Sequence, residues 1–218
     1  MVDLSQTSQA LIDENGLVKF TCSEPWLDQL RKSGLENFSK NGLPTPGLEE
    51  WRYTNLKVLD DTKPIDVNNS NSDQLSLDWL PAEIETHKLV FLNGHFDIKL
   101  SKIGKMDTGV TVMPLSKVLS SDPDLIAEYL GQISSIENFP VTALNTAFIE
   151  DGLIVLIDNV KMLKPIEVLF ISEGSQNKTY HPRNLVVAKD NANLTILERH
   201  IGYGEGSYLT NSVTEMWV

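Results

Sequence analysis

The residues best placed to do chemistry lie in two short runs, the first of which is Glu198-Arg199-His200. In a strand, side chains two positions apart lie on the same face, so Glu198 and His200 could form a carboxylate–imidazole pair. Such a pair can transfer a proton or contribute to a metal site. The simpler interpretation, which we favour, is the solvated end of a strand.

The second run is Glu50-Trp51-Arg52-Tyr53, which follows the stiff connector Pro44-Thr45-Pro46. Trp, Tyr and Arg are enriched in binding hot spots, so these four residues are a candidate interaction patch. The alternative, which we favour from the sequence alone, is that Trp51 and Tyr53 anchor a short helix to its own domain. The adjacent Glu49 and Glu50 would point about 100° apart on a helix and do not form a catalytic pair.

Metal, nucleotide and nucleophilic chemistry have weaker support. The histidines are not closely spaced, and Cys22, the single cysteine, lies far from them in the sequence. The glycine-rich run 202–206 leads into strand-like sequence, whereas a dinucleotide site needs a helix there. We therefore predict no catalytic, cofactor-binding or metal-binding residue, a plain thiol at Cys22, and no enzymatic activity.

Composition excludes several classes of protein. The 218 residues include 18 basic and 30 acidic side chains, a net charge of −12. This balance is the opposite of the basic surface that binds nucleic acid or an anionic membrane. No apolar stretch approaches the ~20 residues of a membrane helix, and the first residues do not resemble a signal peptide. One cysteine cannot form an internal disulfide, so we expect a cytoplasmic protein.

The N-terminal part of the chain is predicted to be helical. The pattern predicts a helix from Glu24 to about Lys40, with Ser23 as its cap and Pro25 in the first turn. A short helix over residues 48–53 should follow, with Thr45 as its cap. The polar and turn-rich residues 60–78 are predicted to be a flexible linker or variable loop.

The central part combines a hairpin and a helix. Asn93-Gly94 stands between the apolar segments 89–92 and 96–100, which is a strong hairpin signal because both turn residues need positive φ. A short strand is predicted at 110–112. Asp122-Pro123 should begin a helix, with Asp122 as cap and Pro123 at the first position. Its apolar face would consist of Leu125, Ile126, Tyr129, Leu130 and Ile133.

The C-terminal part is rich in short strands. The candidates are 153–157, 166–171, 185–188, 194–198 and 213–218. With no helix pattern between them, they indicate either antiparallel β structure or a coil of parallel strands. The fold class is thus α+β, in three regions. These are a helical region (1–85), a hairpin and helix (86–140), and a β core (141–218).

Six segments in order resemble the SufB/SufD family of iron–sulfur cluster assembly proteins, and its SufD branch in particular. They are GLPTPGLEEWRYT (42–54), LVFLNG (89–94), ALNTAFIEDG (143–152), KPI (164–166), PRNLVV (182–187) and NSVTE (211–215). Each segment alone is short, but their order and spacing fit the family from about residue 24 to the end.

The resemblance implies a non-catalytic scaffold subunit of the SUF iron–sulfur cluster assembly complex. Its partners would be a SufB-like protein and a SufC-like ATPase, and any iron–sulfur cluster would belong to the full complex rather than to this part of the chain. The implied fold is an N-terminal helical region and β-hairpin, followed by the first turns of a right-handed parallel β-helix.

Family members run to roughly twice this length, so the resemblance predicts that the chain is an N-terminal half. The final segment, residues 215–218, is strand-like and has no polar cap, which predicts self-association through this C-terminal strand. The alternative function is a β-helix protein that binds carbohydrate or acts as a polysaccharide lyase. A weaker alternative is an unrelated structural adaptor.

Overall fold

The structure is a computed structural model. It describes residues 6–15, 20–56, 59, 85–173, 178–204 and 207–218. The predicted linker, 60–78, lies outside the described residues. Within the described ranges, no helix is both long enough and apolar enough to cross a membrane.

Five α-helices lie in the described ranges. They are α1 (Gln6–Asn15), α2 (Pro25–Asn41), α3 (Leu115–Ser121), α4 (Asp124–Ala127) and α5 (Pro140–Ala147). The short helix predicted after Thr45 is a 3-10 turn, Glu49–Trp51. The prediction of a helix from Glu24 to Lys40 is confirmed by α2, whose ends are each displaced by one residue. Helices α1, α3 and α5 were not predicted.

Helix α2 begins without the predicted Ser23 cap. Glu24 occupies the cap position in an extended conformation and makes no side-chain capping hydrogen bond. The Ser23 hydroxyl donates instead to the Asp28 carboxylate. Pro25 opens the helix as predicted, because its missing N–H would have no helical partner there. Gly42 ends the helix with φ 65°.

The helix predicted from Asp122-Pro123 to Ile133 is wrong in length and in its cap. Helix α4 spans only Asp124–Ala127, with Pro123 at its N-cap and Asp122 at the C-cap of α3. Gly131 has φ 80°, which is outside the helical region, so the backbone leaves the helical path there.

Ten strands lie in the described ranges. The first five are β1 (His87–Leu92), β2 (His95–Phe96), β3 (Val110–Pro114), β4 (Leu153–Ile157) and β5 (Ile166–Glu173). The others are β6 (Lys178–Tyr180), β7 (Arg183–Ala188), β8 (Ile196–Tyr203), β9 (Tyr208–Thr210) and β10 (Val213–Trp217). The predicted strand at 153–157 is confirmed at both ends. The strand predicted at 194–198 lies at Ile196–Tyr203, because it continues through Gly202 at the start of the glycine-rich run.

Successive strands from β4 onward belong to three sheets in rotation: β4, β7 and β10 to one, β5 and β8 to the second, and β6 and β9 to the third. The sheet orders are β10-β7-β4-β3, β2-β1-β5-β8 and β6-β9. Strands β4, β7 and β10 are parallel, as are β1, β5 and β8, and β6 and β9. Leu185 lies opposite Ile154 and Ile196 opposite Ile166, offsets of 31 and 30 residues. Antiparallel pairing, the alternative left open for this segment, is therefore wrong. The β-helix itself stays a prediction.

The hairpin at Asn93-Gly94 is confirmed. Strands β1 and β2 pair antiparallel, with Phe91 opposite Phe96, and the turn residues have φ 53° and 83°. The second strand is shorter than predicted, because β2 ends at Phe96 and residues 98–100 form a turn. The backbone N–H of Asp97 still donates to the Val90 carbonyl at 2.8 Å.

Apolar side chains join the layers in three main clusters. One lies between helices α2, α3 and α4 and the sheet that contains β4 and β7. The second lies between that sheet and the sheet that contains β1 and β5, where the rings of Phe91 and Phe170 stack with centroids 5.1 Å apart. The third joins α1, α2 and α5. Neighbouring residues of β4, such as Ile154 and Val155, belong to different clusters, since a strand's side chains alternate between its faces.

Helices α2 and α5 cross at a point where only glycine fits. A Cβ on Gly34 would lie 2.7 Å from the Ala147 backbone nitrogen and 2.8 Å from the Ala143 carbonyl oxygen. Both neighbours are backbone atoms, which cannot move aside as a flexible side chain could. This contact joins a helix of the predicted region 1–85 to one of the predicted region 141–218.

We therefore expect Gly34→Ala to lower the free energy of unfolding. Overpacking costs roughly 1–3 kcal/mol, which outweighs the ~1 kcal/mol that alanine gains over glycine within a helix. Gly47→Ala is the matched control, because its Cβ would meet only the Thr45 hydroxyl, at 3.4 Å. Urea denaturation of both variants measures the difference, and equal stabilities would show that the helices adjust.

Candidate functional site

The candidate interaction residues lie on an exposed segment, which we call the 48–53 patch (Leu48, Glu49, Glu50, Trp51, Arg52 and Tyr53). The N–H of Leu48 donates to the Thr45 carbonyl at 3.0 Å, so the turn is closed by backbone rather than by the predicted Thr45 side-chain cap. Tyr53 is 87% exposed and Leu48 is 44% exposed, while Trp51 is half-buried. The interpretation that we favoured does not fit Tyr53, whose side chain is mostly exposed among the described residues.

Arg52 is held in place by its own neighbours. Its guanidinium lies 3.2 Å from the Glu49 carboxylate and 4.6 Å from the centroid of the Tyr53 ring, and it donates to the Tyr53 hydroxyl. These exposed contacts contribute little to stability, but they fix the orientation of a planar cation and an aromatic ring. The carboxylate of Glu50 is exposed and forms no ion pair with any described residue. The patch thus presents a pre-arranged aromatic surface beside a carboxylate.

A second group of polar residues lies in the interior, and we call it the buried polar cluster (Asn145, Thr146, Arg183, Asn211 and Glu215). Arg183 is fully buried at the start of β7. Its Nε and Nη2 donate to Glu215 Oε1 at 2.9 and 2.6 Å, and its Nη1 donates to Asn145 and Thr146 at 3.0 and 3.2 Å. Burial lowers the pKa of Arg183, and the adjacent carboxylate opposes that shift.

Asn145 joins helix α5 to two strands. Its amide nitrogen donates to the Pro182 carbonyl at 2.8 Å and to the Asn211 carbonyl at 2.7 Å. The Asn211 amide in turn donates to the Val141 carbonyl at 2.9 Å. These residues come from three of the six motif segments, so the segments that the sequence singled out meet in one place. Because donors and acceptors are matched, the cluster acts as an internal cross-link between helix and sheet.

Asp151 fills a similar role next to the hairpin. This buried carboxylate accepts backbone N–H groups of Phe96 (2.8 Å), Ser116 (3.0 Å) and Gly152 (2.9 Å). It therefore connects β2, the first turn of α3 and the start of β4. Burial raises the pKa of Asp151, and the three backbone hydrogen bonds oppose that rise by favouring the charged form.

Glu198 and His200 form the predicted pair, because the imidazole Nε2 lies 2.7 Å from Glu198 Oε1. Both are exposed, as the favoured interpretation requires, but they lie in the middle of β8 rather than at its end, because the strand continues to Tyr203. The imidazole also stacks on the ring of Phe170, with centroids 5.0 Å apart. Within the described residues, no group of three or more His, Cys, Asp or Glu side chains is arranged to hold a metal ion.

Cys22 is partly buried, and its thiol donates to the Leu119 carbonyl at 3.1 Å. Burial, and then the nearby Glu24, raises the pKa of this thiol. Since the thiolate is the nucleophilic form, this environment disfavours reaction at Cys22. The prediction of a plain thiol agrees with this geometry.

His181 is the buried titratable group whose protonation should matter most. Its ring stacks on Phe148 with centroids 4.7 Å apart, and its Nδ1 lies 3.3 Å from the Asn211 amide nitrogen. Nε2 makes no hydrogen bond with any described residue. Burial lowers the pKa of His181 from 6.5 to about 3, because a charged imidazole has no compensating partner there.

We therefore expect the chain to lose stability as the pH falls below 6.5. The folded pKa is below the unfolded one, so the unfolded chain binds the extra proton and is favoured at lower pH. Between pH 7 and pH 5 this should cost about 2 kcal/mol, since one pKa unit corresponds to about 1.4 kcal/mol. Urea denaturation at both pH values should show this loss in the native sequence and in His95→Gln, an exposed control. His181→Gln should lack it, and an identical pH dependence in all three would contradict the assignment.

The described part of the chain is a mixed α and β structure in which the residues of the buried polar cluster hydrogen-bond one another. The family model described as the SufBD protein N-terminal region matches residues 3–168, which is more than half of the chain. The chain belongs to the SufBD family.

Two relatives come from Synechocystis sp. One, the iron–sulfur cluster assembly SufBD family protein slr0076, is 33% identical over 166 residues, covering 72% of this chain and 35% of the relative. The other, the iron–sulfur cluster assembly SufBD family protein slr0074, is 26% identical over 175 residues, covering 79% of this chain and 29% of the relative. The chain thus spans about a third of the length of these curated relatives.

Sequence reasoning missed the buried polar cluster as a unit. Its residues were visible within the motif segments, but their contacts join positions that are 32 or more residues apart, such as Arg183 and Glu215. One signal was available, namely a charged residue next to a largely apolar strand segment at two places, Arg183 before Leu185–Ala188 and Glu215 within β10. A buried charge needs a partner, so the two opposite charges could have been paired.

Proposed function

We propose that this chain is part of a non-catalytic scaffold subunit that works in iron–sulfur cluster assembly. The observation that carries the proposal is the match of residues 3–168 to the SufBD N-terminal region, supported by a relative whose name includes iron–sulfur cluster assembly. The finer proposal is a SufD-like subunit that pairs with a SufB-like protein and a SufC-like ATPase in the cytoplasm. Any cluster would be held by the complex.

The strand pattern supports a second proposal, that the segment from β4 onward is the beginning of a right-handed parallel β-helix. Successive strands fall in three sheets in rotation, and strands in the same sheet pair in parallel with an offset of about 30 residues. Such repetition leaves each turn in contact with its neighbours only, and the resulting elongated core suits a scaffold. The alternative of a carbohydrate-binding protein or polysaccharide lyase has no support from the comparisons.

The test is co-purification of the full-length protein with its proposed partners. Co-expressed with a SufB-like protein and a SufC-like ATPase, a tagged full-length protein should retain both through gel filtration. A matched expression without the SufB-like protein tests whether ATPase binding depends on it. Failure to retain either partner would remove the scaffold proposal.

We further propose that the 48–53 patch contacts one of these partners, which rests on the scaffold proposal. Tyr53 and Leu48 provide exposed apolar surface, and Arg52 is already neutralised by Glu49. The remaining carboxylate, Glu50, suits a partner surface with a Lys or Arg beside an apolar cleft. Because Arg52 and Tyr53 are pre-arranged, little side-chain entropy would be lost on binding.

Tyr53→Ala in the full-length protein tests the patch. Hot-spot truncations cost 2 kcal/mol or more, so partner binding should weaken by at least about 30-fold. Tyr208→Ala is the matched control, because Tyr208 is also exposed and lies on β9. If the native complex assembles and Tyr53→Ala binds equally well, the patch proposal fails while the scaffold proposal stands.

Self-association through β10 is a separate proposal. Strand β10 pairs with β7 on one side and with no described strand on the other, and Met216 is 56% exposed. Unpaired backbone groups at such an edge can pair with a second copy of the chain. Sedimentation velocity should therefore detect dimers of the 218-residue chain that Met216→Lys removes. Leu163→Lys, at a 96% exposed position outside the strands, should leave them unchanged, and a native chain that stays monomeric at high concentration would refute the proposal.

A further inference from the structure

One carboxylate, that of Glu215 on β10, holds two separate parts of the chain together. Its Oε1 accepts hydrogen bonds from Arg183 on β7 and from the Gly131 N–H at 2.8 Å. Its Oε2 accepts from the N–H groups of Ile133 and Ser134 at 3.0 and 3.3 Å. A carboxylate offers about four lone-pair positions, so five donors saturate Glu215.

The three amides belong to the loop 131–134, which lies between α4 and α5. These backbone N–H groups are not part of a helix or strand ladder, and Glu215 is the acceptor that satisfies them. The Arg183 guanidinium also donates to the Ser134 hydroxyl, which gives the loop a second attachment to the same ion pair. The position of the loop therefore depends on the position of β10.

Helix α5 is attached at the same place. Asn145 accepts from Arg183 and donates to the carbonyls of Pro182 and Asn211, which precede β7 and β10 respectively. If β10 moved away from β7, the Arg183–Glu215 ion pair and the bond from Asn145 to Asn211 would break together. Buried charges that lose their partners are costly, so partial separation is disfavoured.

We propose that β10, the loop 131–134 and the C-terminal half of helix α5 form one cooperative unit, in which Glu215 couples the edge strand of the sheet to the helical layer. The unit has two states, one with β10 paired to β7 and the loop fixed, and one with both released. Since no described strand pairs with the outer side of β10, that side can accept a further strand, and a strand paired there favours the first state. Contact at the sheet edge is thereby communicated to a loop on the helical side.

Native-state amide hydrogen exchange tests the unit in the unmodified chain. At increasing sub-denaturing urea concentrations, the amides of Gly131, Ile133 and Ser134 should exchange through the same opening as Val213, whose N–H donates to the Pro182 carbonyl at 3.1 Å. The same opening means equal protection and an equal dependence on urea. Loop amides that exchange independently of Val213 would overturn the proposal.

Glu215→Gln is the corresponding variant. The glutamine amide places an N–H₂ where one oxygen accepted hydrogen bonds, so donors face donors. Exchange at the loop amides and at Val213 should accelerate at least about 100-fold more than at Leu169 on β5, as expected when a charged hydrogen-bonding partner is lost. Leu89→Ala, a core change on β1 distant from the cluster in the sheet order, is the control. It destabilises the whole fold rather than this opening, so it should accelerate exchange at Leu169 more than at the loop amides and Val213.

Glu215→Asp keeps the measurement informative if Glu215→Gln does not fold. Its carboxylate is one methylene shorter, so it cannot reach both Arg183 and the loop at their present positions. The loop amides should still exchange faster than Leu169 relative to the native chain. Equal acceleration of the loop amides, Val213 and Leu169 in Glu215→Asp would show that Glu215 contributes only to global stability and would overturn the proposal.

Discussion

Replacing Arg183 with methionine should lower the free energy of unfolding by about 3–5 kcal/mol, the usual cost of removing one partner of a buried ion pair. Arg183 and Glu215 are both fully buried, with 2.6 Å between Nη2 and Oε1. Methionine fills much of the arginine volume, so the loss of stability would come from polar groups left without partners rather than from a cavity. It would leave Glu215 without a cation, and Asn145 and Thr146 without their donor.

The matched control is Arg52→Met. Arg52 also pairs with a carboxylate, Glu49, at 3.2 Å, but both side chains are exposed, at 53 and 78%. An exposed pair contributes about 0–1 kcal/mol, so this variant should unfold close to the native urea midpoint. If the two variants lost equal stability, the buried polar cluster would not be the specific cross-link that its geometry describes.

A double replacement separates the ion pair from packing. Arg183→Met combined with Glu215→Met removes both charges, and such replacements of buried pairs by apolar residues are often neutral or stabilising in other proteins. The double variant should not regain the full free energy of unfolding of the native chain, because the loop amides of Gly131, Ile133 and Ser134 would lose their acceptor. The shortfall measures what the loop contacts contribute, together with the donor that Asn145 and Thr146 lose.

Local signals predicted much of this fold. The hairpin at Asn93-Gly94 could be predicted because its positive φ angles depend on two adjacent residues. Strand β4 was predicted at its correct ends, since Asp151-Gly152 and Asp158 bound a short apolar run. Helix α2 followed from its periodicity, with Pro25 near its start and Gly42 after its end. In each case the information lies within a few residues.

Helix α5 shows where local signals end. Its sequence, PVTALNTA, contains β-branched residues with modest helix propensity, and it has no side-chain cap. It is helical in the structure where small residues, Ala143 and Ala147, lie close against Gly34 of α2. That contact joins positions more than 100 residues apart. Tertiary packing therefore decides the conformation, and one sequence read by itself does not contain that pairing.

The site predictions show the same difference between local and long-range information. The carboxylate–imidazole pair of Glu198 and His200 could be predicted, because a strand fixes which side chains share a face. The exposure of Tyr53 could not, because an aromatic residue beside charges fits both an anchor and a surface patch. The parallel register of β4, β7 and β10 also could not, since turn residues alone do not distinguish pairing directions.

Gly152→Ala should be among the most damaging single-methyl additions in the chain. A Cβ at this position would lie 2.6 Å from the Arg183 carbonyl carbon and 2.9 Å from its nitrogen, and closer still to its carbonyl oxygen. These are backbone atoms at the start of β7, whose register with β4 begins at the next residues. Relief would require the two strands to separate, which would also displace Arg183 from the buried polar cluster.

We expect a loss at or above the upper end of the roughly 1–3 kcal/mol typical of overpacking. Gly94→Ala is the control, because Gly94 has φ 83° but nothing nearer than 3.6 Å to the added carbon. It should cost only about 1–2 kcal/mol of backbone strain. Chemical denaturation compares the two, and near-ultraviolet circular dichroism reports packing of the aromatic side chains. If Gly152→Ala were no worse than Gly94→Ala, conformational strain rather than the approach of β4 to β7 would explain glycine at position 152.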